Sequence, residues 1–550
     1  MGARWLAEKK TVSFSRLIRM KRVLPLLLTT LCYVLWLLPA RAQAPQWQWA
    51  NAQSFVVNSV ATDIQGNAYV TGQFSGSITV GRFSLTSSSA IGDLLVAKFN
   101  PSGRAEWVTP LAAQPLPGAG AGTFASGTDI SVNPATGESV VVGRMNGLFA
   151  GSVPGSNLPA DQYISDKFVV LKLTAAGSIQ WAVQGGSTNL PTTCNAVATD
   201  AAGNSYLTGI SYGYRLSSGG SVGAGPRQLF VLSLNGTGAF RWNTLASAPL
   251  SAMGIDIGTD ALHGVYLLGT YFGPLTIGGS TLPGPPSGTV LARLDGTTGS
   301  VAWARGDQSG ATALAVDAAG HSYLTGGFSG SYALGTASLT ASAGREGFVA
   351  HLDPSGTVAW LQSVGAAEAN GGVALSDGAP VVWLKRTASG GAVVGLKSGG
   401  AINWELAASG IDGGKCLATA PGLTPLQRRV VTGGSFTGAA TFGSHNVSAA
   451  GSGHFLASLR FVQPIGPGNA VPLSAYPNPA QDLLTVRLPT AAGTSVQLVN
   501  LQGRVVRQHL GSDGPGVPEL VWNVAGLPRG LYTVRAVGSG QVQTLLVELN

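Results

Sequence analysis

The amino-acid sequence predicts an all-β chain, a ring of seven four-stranded blades, with six as the alternative count, followed by a small antiparallel β-sandwich. Three observations predict it. Glycine supplies 79 of 550 residues, about twice ordinary usage and without a collagen period, which fits a turn-dense chain better than a helical one. Alternating apolar positions rich in β-branched residues are punctuated by Gly, Pro, Asn and Asp roughly every 8 to 12 residues, the signal of strands and hairpins. A tryptophan recurs as Trp49, Trp107, Trp181, Trp242, Trp303, Trp360 and Trp404, at spacings of 58, 74, 61, 61, 57 and 44 residues. A period near 59 residues with four strands in each is the arithmetic of a β-propeller.

The N-terminal segment comes first and carries most of the charge imbalance. The chain has 32 Lys and Arg against 24 Asp and Glu, a formal charge of +8, but residues 1–42 hold eight of the basic residues and one acid, Glu8. The remaining 24 basic residues face 23 acidic ones with no basic stripe, which disfavours nucleic acid as a partner. Met20, Lys21 and Arg22 precede an apolar run from Val23 to Leu38 and then Ala40, Arg41 and Ala42, the pattern of a secretory signal peptide. Cleavage is expected between Ala42 and Gln43, with residues 1–19 either a long n-region or upstream of a true start at Met20. No other stretch approaches membrane-spanning length, so an integral helical membrane protein is not expected. Cys32 belongs to the signal, and Cys194 and Cys416 read as two separate buried thiols.

The repeat spans 43–463. Each unit starts with an apolar strand that ends in a turn such as Asp63-Ile-Gln-Gly-Asn67, Asp200-Ala-Ala-Gly-Asn204 or Asp317-Ala-Ala-Gly-His321. A strand with Tyr-x-Thr-Gly follows, at Tyr69, Tyr206 and Tyr323, then a Phe-x-Gly segment, and finally an outer hairpin closed by the tryptophan strand. The last unit has no tryptophan strand after it, whereas the chain opens on a tryptophan strand around Trp49 with no unit before it. The two halves complete one another, so the N-terminal strand is expected to pair with the strand over 455–461 and remove the open edge of the ring. These motifs resemble the SBBP-type bacterial β-propeller repeat, which implies the fold and says little about function.

A Pro/Gly linker over 464–473 ends the repeat, and short alternating strands over 484–488, 495–500, 504–508, 520–524, 531–537 and 542–549 predict the β-sandwich of 474–550. Three strings there, YPNPAQDLLTV, VQLVNLQGRVV and LPRGLYTVRAV, place Tyr476, Pro477, Asn478, Pro479, Asn500, Gly503, Gly530 and Tyr532 in order. They resemble the type A C-terminal sorting domain of the type IX (Por) secretion system of Bacteroidota. The resemblance implies Sec export through the periplasm, recognition by an outer-membrane translocon with its sorting machinery, removal of the domain, and a mature chain held on surface lipopolysaccharide or released.

Candidate chemistry is sparse. The six histidines have no metal-ligand spacing, and His321 and His351 occupy positions held by Asn67 and Lys98 in sister units. Ser221 sits in a GxSxG string but within a Gly/Ser loop, and the glycines before Lys415 miss the phosphate-loop spacing. Asp63, Asp200 and Asp317 share one turn position; such carboxylates suit Ca²⁺, yet the stronger reading is that each caps its own turn. The tryptophans read as blade packing and not as a sugar platform. Specificity is expected in the insertions 111–127, 147–166, 212–227 and 280–288. The sequence therefore reads as a non-catalytic, exported or surface-displayed propeller binding a glycan or protein, without a cofactor. The alternative is a propeller enzyme acting on glycans, a hydrolase or lyase, which needs paired carboxylates from different blades.

Overall fold

The computed structural model describes residues 45–461 and 473–550, apart from 115–121, 150–166, 188–189, 223–226, 285–286, 309, 368, 388–389, 421–427, 477, 488–494, 501–503, 510–518 and 539–540. Ala42, Gln43, Pro477 and Gly503 lie outside the described residues, as do the tips of the four insertions. The chain divides into two compact units, one of residues 43–462 and the other containing 463–550. Among the described residues there is no helix, and so none that is long and apolar enough to cross a membrane.

The first unit is a β-propeller whose described residues form seven antiparallel blades. From the axis outward, blade 1 is Val56–Thr62, Ala68–Phe74, Asp93–Phe99 and Ala105–Leu111. Blade 2 is Phe124–Val132, Ser139–Asn146, Lys167–Leu173 and Ile179–Gly186, and blade 3 is Thr193–Thr199, Ser205–Ser211, Gln228–Leu234 and Phe240–Ser247. Blade 4 is Ser251–Thr259, Gly264–Phe272, Gly288–Asp295 and Val301–Gln308, and blade 5 is Ala311–Val316, Ser322–Leu334, Ala337–Leu352 and Val358–Ala366. Blade 6 is Ala369–Ser376, Ala379–Thr387, Gly390–Leu396 and the first half of one long strand, Ile402–Ala420. The second half of that strand begins blade 7, which continues with Arg429–Phe442 and His445–Arg460. Its fourth strand is Gln46–Gln53 from the other end of the unit, with Gln46 opposite Arg460 and Gln53 opposite His454.

The seven inner strands touch in cyclic order, blade 7 against blade 1 included. A hydrophobic cluster fills each of the seven interfaces between neighbouring blades. Between blades 3 and 4, for example, Tyr206, Leu229 and Trp242 meet Ile257, Val265 and Val290. Each such fully buried side chain contributes roughly 1.5–3 kcal/mol of transfer free energy, so the ring is held mainly by these wedges.

The segments between the second and third strands depart from the simple four-strand reading. In blades 3 and 4 they open short hairpins, Tyr214–Leu216 with Ser221–Val222, and Leu275–Ile277 with Ser280–Leu282, that reach back and pair with the outer strand of the preceding blade. Leu216 lies opposite Gly185 of blade 2, and Ile277 opposite Ala246 of blade 3. The reason is an unpaired outer edge, which a sheet stabilises by taking on further strands. Ser221, read from sequence as part of a loop, is thus in a hairpin strand opposite Arg215.

The second unit has two antiparallel sheets. One holds Ser474–Tyr476, Leu483–Arg487 and Glu519–Asn523; the other holds Val505–His509, Ser495–Asn500, Gly530–Gly538 and Gln541–Leu549. Leu484, Val486 and Trp522 of the first share a core with Val496, Leu498, Tyr532, Val534 and Val547 of the second.

Candidate functional site

The repeated residues build the walls. Asp63 accepts hydrogen bonds from the backbone N–H groups of Gln65 and Asn67 at 3.0 and 2.9 Å, from Asn67 Nδ2 at 2.7 Å and from the Tyr69 hydroxyl at 3.2 Å. Asp200 does the same with Asn204 and Tyr206, and Asp317 accepts from the N–H groups of Ala319 and His321, with His321 Nδ1 3.0 Å away. Asp260 fills this place in blade 4, with Tyr266 as its phenol. Burial beside these carboxylates pushes the Tyr206 phenol up to about 12. His351 stacks on Tyr323 at 4.6 Å between ring centres, and burial holds its imidazole below the usual histidine value. The three aspartates of the sequence motif therefore stand on blades 1, 3 and 5, each turned into its own turn. Among the described residues no group of three or more His, Cys, Asp or Glu side chains is placed to hold a metal ion.

The tryptophans form the rim. Each indole N–H donates to a backbone carbonyl in the outer-hairpin turn of the next blade: Trp49 to Pro101, Trp107 to Ala175, Trp181 to Gly236, Trp242 to Gly296, Trp303 to Pro354 and Trp360 to Ser398, at 2.8–3.1 Å. The ring then lies over the turn glycine; at Gly299, with φ of +74°, a Cβ would strike Trp242. Trp404 has no such turn to reach, because the fourth strand of blade 7 comes from the N-terminus, and it packs on Phe461 instead.

The Thr-Gly of the second strand shapes the inner surface. Thr71, Thr208 and Thr325 donate to carbonyls of the third strand, those of Leu95, Phe230 and Phe348. The glycine after each faces a β-bulge: a Cβ on Gly72, Gly209 or Gly326 would run into the carbonyl oxygen of Val56, Thr193 or Gly310. Every inner strand is bulged at this level, at Asn58, Thr128, Asn195, Ile255, Thr312, Gly371 with Gly372, and Lys415. Because a bulge re-aims the side chains beside it, these residues line the axis of the ring.

They surround a cavity of about 350 Å³. Two carboxylates reach it, Asp129 from blade 2 and Asp256 from blade 4, and one ammonium, Lys415 from blade 7. Asp129 accepts from Ser59 Oγ of blade 1 at 2.6 Å and from the Val197 N–H of blade 3 at 2.8 Å. Asp256 accepts from its neighbour Ile257 N–H and from the Leu314 N–H of blade 5, both at 2.8 Å. Burial raises the carboxyl of Asp129; burial and then the charge of Asp129 push Asp256 up to about 7. Lys415 Nζ donates to Asn58 Oδ1 at 3.4 Å, and Asn58 and Asn195 donate to the carbonyls of Gly127 and Gly254 on the following blades. Cys194 and Cys416 are free and buried nearby, and burial lifts the Cys416 thiol to about 12.

Asp129, Asp256 and Lys415 were not singled out as site residues by the motifs. A signal existed: Asp129 and Asp256 stand four residues before the turn residues Asn133 and Asp260, where the sister units have Ser59, Ala196 and Ala313.

In the second unit the motif residues tie turns and termini. Asn478 Oδ1 accepts from the Glu548 N–H at 2.8 Å and Asn478 Nδ2 donates to the Leu546 carbonyl, while Ala480 bridges to Leu549, so the first motif is held on the last strand. Asn500 Oδ1 accepts from the Arg504 N–H, and the Tyr532 hydroxyl donates to the Pro528 carbonyl at 2.7 Å. Gly530 takes a φ of +135°, while Tyr476 is half exposed and Pro479 lies on the surface.

No curated protein matches the chain. Among solved structures, the chain is similar to a quinohemoprotein alcohol dehydrogenase from Pseudomonas putida, with 11% identity and a TM-score of 0.36 over 80% of this chain and 81% of that one. A europium-containing methanol dehydrogenase gives 10% identity and a TM-score of 0.35 over 75% of this chain and 93% of that one. Residues 474–548 match the secretion system C-terminal sorting domain, and a domain of that kind implies dealings with the type IX secretion machinery and export of the chain to the cell surface or beyond.

Proposed function

We propose that the chain is an exported, non-catalytic β-propeller, displayed on the cell surface or released, that serves as a binding or structural scaffold for an extracellular glycan or protein. The observation that carries this reading is the commitment of repeated polar groups to the fold: turn aspartates to their own turns and indoles to the next blade. In this reading the sorting domain is an address, removed after the outer membrane is crossed, and surface lipopolysaccharide is the anchor of any retained form. Terminal sequencing and intact mass of protein from culture supernatant and from washed cells test the address. A product running from about Gln43 to the linker supports it, and a cell-internal chain that keeps Asn550 overturns it. Incubation of the exported form with polysaccharides tests the scaffold, since retention without product supports it and new reducing ends overturn it.

One observation favours the second reading, a glycan-active enzyme. Asp129 and Asp256 bring two carboxyls from different blades to one cavity, one of them titrating near 7 as a general acid would. Loss of a measured glycan turnover in Asp256→Asn, with thermal stability retained, would establish that reading.

A further inference from the structure

We infer that the channel of the propeller binds a small zwitterion, a molecule of the free α-amino acid class that carries one ammonium and one carboxylate. The inference rests on reading the ring as a binding propeller and adds a site and a ligand chemistry to it.

The channel gathers groups of opposite sign in a confined space. The cavity of about 350 Å³ is large enough for a compact organic solute, and all seven blades contribute to its wall. Its charged groups are of both signs: Asp129 and Asp256 on one hand, Lys415 on the other. A simple cation would meet the Lys415 ammonium and a simple anion the two carboxylates, each at a cost in a partly desolvated site. A zwitterion satisfies both, its ammonium toward the carboxylates and its carboxylate toward Lys415. The two carboxyls keep lone pairs beyond those that Ser59, Val197, Ile257 and Leu314 engage, and although burial raises both groups, a ligand ammonium set between them favours their ionised form. Lys415 is exposed to the channel and has three protons, one of them given to Asn58. No aromatic ring lines the cavity among the described residues, which removes the stacking surface a sugar ring uses. Blade 6 contributes Gly371 and Gly372 to the lining, where the other blades carry side chains.

The test uses L-alanine as probe, with ethylamine and propionate as its two single-charge halves and glucose as a neutral polyol, each titrated calorimetrically into the purified full chain. Saturable binding of L-alanine is expected, with the three controls at least about tenfold weaker. Lys415→Met, an exposed position whose loss leaves the wall intact, and Asp256→Asn should each weaken L-alanine binding by about tenfold or more. Thr437→Val, outside the cavity, should leave it unchanged. Ethylamine, propionate or glucose binding as tightly as L-alanine overturns the inference, and so does the absence of saturable L-alanine binding up to about 10 mM with a folded protein. If Asp256→Asn fails to fold, Lys415→Met decides alone. Export is not involved in this readout: a chain that stays inside the cell overturns the proposed export and leaves the channel chemistry standing, and the converse holds.

Discussion

At the rim of the propeller six blade-to-blade joints are made in the same way, an indole N–H on the next blade's turn carbonyl and a glycine beneath the ring. At the channel wall, the position just after the bulge holds Ser59, Asp129, Ala196, Asp256, Ala313 and Cys416 in different blades. Both sets lie at equivalent places in a repeating fold. Identical chemistry at the rim follows from an identical task, because every outer turn must be tied down by the blade before it. At the axis neighbouring inner strands are joined by side chains that differ from blade to blade, such as Ser59 on Asp129, Asn195 on the Gly254 carbonyl and Asp256 on the Leu314 N–H. Sameness around the ring thus marks scaffold, and difference at one geometric position marks the place where function has room to act.

Breaking the ring at its single exception to covalent order should have the largest effect. A chain that lacks Gln46–Gln53 leaves blade 7 with three strands and loses buried Trp47, and it should show no cooperative thermal unfolding of the propeller; a retained sharp transition would mean that the strand is dispensable. At the rim, Trp242→Ala should cost about 3–5 kcal/mol by denaturant unfolding, and Trp404→Ala, only partly buried and without a turn partner, distinctly less. Equal costs would break the link between stability and the indole-to-turn bond. At the wall, Gly209→Ala should cost about 1–3 kcal/mol by crowding the bulge, whereas Ala313→Ser, at the variable position, should stay within about 0.5 kcal/mol.

The smallest effect is a slope with pH. The Asp256 carboxyl is held near 7 in the fold by burial and by Asp129, against about 3.9 in an unfolded chain. Between those values the folded state holds more protons, so this group makes stability fall as pH rises from about 4 to 7, with the loss complete above 7. Asp129, also raised, acts in the same direction. Melting temperatures of the wild type and Asp256→Asn across that window should differ in slope, the variant being flatter; parallel curves would show that Asp256 is not so perturbed.

The fold was legible because its determinants are local and repeated. Strand alternation, Asx turns such as Asp63 to Asn67, and the tryptophan period are short-range patterns, and seven copies average out the irregular ones. The tail was legible because Asn478, Asn500 and Tyr532 each satisfy a specific turn or terminus, which restricts residue type. The wall was not legible. Asp129 and Asp256 sit in apolar strands like ordinary polar substitutions, and only the bulge before them decides which way they face. The back-reaching hairpins were hidden for a similar reason, since their partners, such as Gly185 for Leu216, belong to another blade.

By itself the sequence determined an all-β chain of repeated units, a surplus tryptophan strand at one end and an incomplete unit at the other, and a C-terminal address. Only the tertiary structure decided which side chains meet at the axis. A one-residue shift of register turns a strand's side chains to its other face, and that shift is set by long-range pairing against Gly72, Gly209 and Gly326, not by local propensity. The meeting of Asp129, Asp256 and Lys415 from blades 2, 4 and 7 is likewise a product of ring closure.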